Sequence, residues 1–138
     1  MVKIKEHNNL EISEFLLYHG FEITKENDHI FIVQREDELP VFMSTSSNNL
    51  YFEVDLGSIK GVASEQLFFD LLDLNTEILP VSFGINNTNP NDSRLVLVES
   101  RKTIDLHQEE LLSVFDALEL ATDRAETILA KRMFSFHN

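Results

Sequence analysis

Leu50, Phe52, Val54 and Leu56 alternate with Tyr51, Glu53 and Asp55, the period-2 pattern of a strand with one face on a core and the other in water. Two apolar runs rich in β-forming residues precede it, Ile30 to Gln34 and Leu39 to Thr45. The polar tract Ser46-Ser47-Asn48-Asn49 separates the second of these from the Leu50 to Leu56 run, so three strands are expected in succession. Ahead of them Leu10, Ile12, Phe15, Leu16 and Leu17 predict a short helix. Gly20 stands where a helix C-terminus commonly places glycine.

The pattern changes after Gly57-Ser58-Ile59-Lys60-Gly61, a turn followed by Ser64, which is placed to cap a helix running to about Thr76. Leu67, Phe68, Phe69, Leu71, Leu72 and Leu74 are six apolar residues in eight, too many for a single buried stripe, so this helix should be covered on two sides. Val81, Phe83 and Ile85 then alternate with Ser82, Gly84 and Asn86, while Leu95-Val96-Leu97-Val98 is apolar on both faces, as a central strand would be. The tract Asn86 to Asp92 between these runs predicts a hairpin loop, and its two N-x-S/T sequons read as turn chemistry. Asp105, with Gln108 three residues on, predicts the start of a long last helix. Leu111, Phe115, Leu118, Ala121, Ala125, Ile128 and Arg132 trace one side of that helix, with Leu112, Leu129 and Met133 beside them.

These elements predict one α+β domain over residues 1–138. It has an antiparallel sheet of about five strands with three helices, in the order α-β-β-β-α-β-β-α. No repeat, low-complexity tract or Pro/Gly-rich linker marks an internal boundary. A chain of 138 residues is long enough to bury roughly two-thirds of its unfolded surface in one core.

Composition narrows the functional classes. Asp and Glu number 24 against 11 Lys and Arg, a formal net charge of −13. Such a field repels nucleic-acid phosphate and anionic lipid, so neither nucleic-acid binding nor direct membrane insertion is expected. The same charge would attract a basic protein. The densest acidic run, Glu36-Asp37-Glu38, is expected to be solvated. With no cysteine in the chain, disulfides and thiolate metal sites are excluded. The N-terminal MVKIKEHNNLEISEF, charged and without a continuous apolar core, does not read as a signal peptide. A soluble cytoplasmic protein is the expectation.

Candidate chemistry is sparse. His7, His19, His29, His107 and His137 stand in no ligand spacing, and His107 with Glu110 lacks a third ligand. No GxSxG elbow surrounds a serine. Gly57 to Gly61 lacks the length and ending of a phosphate-binding loop. The acid pairs Asp70 with Asp73 and Glu109 with Glu110 read as solvated helix faces rather than as an acid and a base. Met133 to His137, with two Phe after Lys131-Arg132, reads as a helix end packing on its own domain or on a second subunit. No catalytic residue, metal or cofactor is expected.

Leu71-Leu72-Asp73-Leu74-Asn75, Pro80 to Ile85, Asp92 to Leu97, and Glu109-Glu110-Leu111-Leu112 with Ala117 to Ala121 together resemble the type III secretion chaperone-like fold. They are similar above all to the YjfI-like bacterial proteins, a group of unknown function whose genes often lie beside PspA-like membrane-stress proteins. In the secretion chaperones the apolar second helix and the neighbouring strand form much of a homodimer interface, and client segments wrap outer strand surfaces without chemistry. The resemblance therefore implies a non-enzymatic adaptor or chaperone-like homodimer. Leu67, Phe68, Phe69, Leu71, Leu72 and Phe83 are its interface candidates, and a PspA-like stress-response protein is the first candidate partner. A small-ligand sensor and an unrecognised enzyme stay open as alternatives.

Overall fold

Along three successive strands, Phe31 and Val33, then Val41 and Met43, then Leu50, Phe52 and Val54 are buried, and the residues between them are more exposed, as the pleat requires. The computed structural model describes residues 9–137, with side chains from 11 to 131. In chain order the elements are α1 (Asn9–Tyr18), β1 (Glu22–Lys25), β2 (Ile30–Gln34), β3 (Val41–Ser46), β4 (Asn49–Ser58), α2 (Glu65–Asn75), β5 (Ser82–Asn86), β6 (Arg94–Lys102) and α3 (Gln108–His137). The fold is α+β, with an open six-stranded sheet in the order β1-β2-β3-β4-β6-β5. The β1–β2, β2–β3, β3–β4 and β5–β6 pairs are antiparallel. The sheet thus has one strand more than the expected five or so. The additional strand, β1, is Glu22-Ile23-Thr24-Lys25, four residues on a sheet edge, too short and too polar for alternation to announce it.

The chain gathers into two compact units: one takes residues up to Val54 with Glu99–Asp116, the other Asp55–Val98 with Ala117 onward. In the first unit Ile12, Leu16 and Phe21 join the buried residues of β2 to β4 in the core. Phe115 packs its ring 4.8 Å from Phe21 and 5.6 Å, edge-on, from Phe52, a geometry that aromatic pairs favour. Gly20, just past α1, takes φ 88° as expected. Arg35 lies over the Phe21 ring and pairs with Glu38 at 2.7 Å and with Asp116 at 2.9 Å. Glu38 is therefore held and half-buried, while Glu36 and Asp37 are exposed as expected of the run.

In the second unit Leu67, Leu71 and Leu95 form a buried cluster, with Leu56, Ile59, Val62, Phe83, Ile128 and Leu129 packed against it. The hydroxyl of Ser64 accepts from the Leu67 amide at 3.0 Å and caps α2, as its position predicts. β6 lies between β4 and β5, so its doubly apolar run is interior. The loop before it is built from short side-chain turns: Asn86 Oδ1 accepts from the Thr88 amide and Asn89 Oδ1 from the Asn91 amide.

Two further expectations are corrected. Asp105 does not stand at the first position before α3, which begins at Gln108. It sits in a turn at φ 60°, where Leu106 donates to the Thr103 carbonyl, and the first helical bond runs from Leu111 to the His107 carbonyl at 3.0 Å. A left-handed residue cannot open a helix, and asparagine or aspartate tolerates that conformation best. The alternation of Val81, Phe83 and Ile85 also fails at its end: Val81 is buried, Phe83 half-buried and Ile85 exposed. β5 is an edge strand, so only part of its inward face is covered. On α3, Leu111 and Phe115 serve the first unit, and Leu118, Ala121, Ala125 and Ile128 the second. Arg132 and the Met133 to His137 segment lie outside the described side chains.

Candidate interaction surface

On α2 the helical period separates the apolar residues into two sets. Leu67, Leu71 and Leu74 point inward at steps of four and three and are buried. Phe68, Phe69 and Leu72 point outward, with Phe69 66% and Leu72 67% exposed. The side chain of Asn75 accepts a hydrogen bond from the Phe83 amide at 2.7 Å, tying the end of α2 to β5. Beside that tie lies a groove of about 260 Å³ lined by Phe68, Leu71, Leu72, Phe83, Gly84, Ile85 and Leu95. Among the described residues that line it none is charged, and Gly84 contributes no side chain.

Four of the six sequence candidates, Phe68, Leu71, Leu72 and Phe83, therefore come together at this groove, and Phe69 lies on the outer side of the same helix. Leu67 is completely buried in the core of its own unit and offers no surface. Ile85 and Leu95 were missed, although Ile85 belongs to the alternating run of β5.

A second groove, of about 310 Å³, lies between the α2–β5 connection and α3. It is lined by Glu77, Ile78, Leu79, Ala117, Leu120, Ala121, Asp123 and Arg124, and Arg124 pairs with Glu77 at 3.2 Å. Nothing in the sequence pattern pointed there, because Leu79 precedes a proline and Leu120 falls off the buried side of α3.

Among the described residues, no group of three or more His, Asp or Glu is placed to hold a metal ion, and no helix is long and apolar enough to cross a membrane. His107 Nδ1 is buried without a hydrogen-bond partner. What the geometry offers is apolar surface and shape.

The fold is that of type III secretion chaperone-like structures. A chain of the heterodimeric ExoU–SpcU complex from the type III secretion system of Pseudomonas aeruginosa superposes with a TM-score of 0.69 at 20% identity, covering 85% of this chain and 96% of that one. The Yersinia pestis type III secretion chaperone SycH, in complex with a stable fragment of YscM2, gives 0.57 at 20% identity, covering 84% and 94%. YbjN from E. coli, a putative transcription regulator, gives 0.64 at 17% identity, covering 90% of each. No curated protein sequence matches the chain. The CesT_Tir_1 family model matches residues 5–132, and the chain belongs to that family.

Proposed function

We propose that this protein is a non-enzymatic, chaperone-like adaptor that binds other proteins and acts as a homodimer through the outer side of α2 and the groove beside β5. The observation that carries this reading is the continuous apolar surface of Phe68, Phe69, Leu72, Phe83 and Ile85, several of them more than one-third exposed. Surfaces of this kind on a single chain mark contact sites. A two-fold interface would let the same patch cover its own copy. Family membership and a fold shared with a secretion chaperone solved in complex with a fragment of another protein support protein binding.

The likeness to YjfI-like proteins makes a PspA-like membrane-stress protein the first candidate client, in a cytoplasmic setting. Light scattering at micromolar concentration tests the dimer: twice the chain mass of 15.9 kDa is expected, and a monomer overturns it. Mixing with purified PspA-like protein tests the client; a failure to bind removes that candidate and leaves the adaptor class standing.

A further inference from the structure

We propose that the groove between the α2–β5 connection and α3 docks a helical segment of a partner protein that presents a bulky apolar side chain close to Lys or Arg. The proposal rests on the protein-binding reading above and assigns it a second contact, apart from the groove beside β5.

The floor of the second groove is apolar, made by Ile78, Ala117 and Ala121. Leu79 and Leu120 stand on it 72% and 67% exposed. An occupant with an apolar side chain would bury both, and that burial is the main source of holding energy.

Charge decides which occupant fits. Among the described residues lining the groove three are charged: Glu77 and Arg124 satisfy one another at 3.2 Å, and Asp123 pairs with no described cation. The rim is therefore left negative on a molecule of net charge −13, and a cation on the occupant complements it. A second copy of this chain, with 24 acidic residues against 11 basic ones, is a poor source of that cation. Anionic lipid and nucleic acid bring the wrong sign. A helix carrying Leu with Lys three or four positions away supplies both contacts from one face.

The test uses the full chain and three fluorescein-labelled synthetic helical peptides: one of Leu and Lys, one with Glu in place of Lys, and one with Ser in place of Leu. Anisotropy should show binding of the Leu/Lys peptide alone. The double variant Leu79→Asp/Leu120→Asp, its fold checked by circular dichroism, should weaken binding by about tenfold or more. Ile104→Ser, at an exposed apolar residue that lines neither groove, should leave it unchanged. Asp123→Lys, at an exposed position, should weaken the Leu/Lys peptide and strengthen the Leu/Glu one. Equal binding of the Ser peptide, no binding of any peptide, or indifference to the groove variants overturns the proposal. Loss with Phe69→Glu alone also overturns it, while moving the contact to the α2–β5 surface and leaving the adaptor reading intact.

Discussion

Leu95, Leu97 and Glu99 follow one another on the inward side of β6, and the carboxylate that ends this row is only 4% exposed. Burial pushes the Glu99 pKa above its ordinary value; the nearby Arg101 opposes the rise and Glu110 adds to it. Arg101 Nη2 approaches to 2.8 Å as an ion pair, yet among the described residues neither carboxylate oxygen has a partner in hydrogen-bonding geometry. The folded chain therefore holds this proton more tightly than the unfolded one. The resulting stability is present below the ordinary glutamate value of 4.5 and is lost as pH rises through the folded value. Glu99→Gln cannot titrate, so its melting temperature should rise relative to the parent as pH is taken from about 4 to about 8. A pH-independent difference would contradict this. No periodicity announces such a residue, because a charged side chain on an inward strand position is what hydrophobic patterning excludes.

α2 shows how much one element carries. Its start depends on Ser64, whose hydroxyl satisfies the Leu67 amide. Ser64→Ala should cost about 1 kcal/mol of stability, read as a lower urea midpoint with unchanged slope. Its outer side is a separate matter. Because Phe69 is 66% exposed, Phe69→Glu should dissociate the proposed dimer and leave the circular dichroism spectrum unchanged. Unfolding instead would place that side chain in a core that it does not occupy here. The surplus of apolar residues on α2 is legible in the sequence as a helix needing two covers, and the single chain provides only one of them. The start of α3 was less legible. Asp105 and Gln108 have the spacing of a cap, but a left-handed Asp105 turns the chain and helix formation waits for Gln108.

At the scale of the molecule, the charge of −13 acts on encounter more than on holding. Raising salt from about 50 to about 500 mM shortens the Debye length to a few Å. Association with a basic partner should slow markedly under that change, while dissociation changes much less. Stopped-flow or surface-based kinetics would read both rates. Salt-insensitive association would remove the acidic surface from the mechanism.

The sequence by itself determined the order of the main elements, the buried face of β4, the interior position of β6 and the apolar excess of α2. Each of these is written in residues a few positions apart, through the 2.0 and 3.6 periods of strand and helix. Tertiary structure alone decided the rest. Pairing with β2 made a strand of Glu22-Ile23-Thr24-Lys25, and an edge position left Ile85 exposed on β5. Leu79 and Leu120, 41 positions apart in the chain, became one groove only when the α2–β5 connection met α3. Such features depend on which distant segments touch, and side-chain period along one segment carries no record of that.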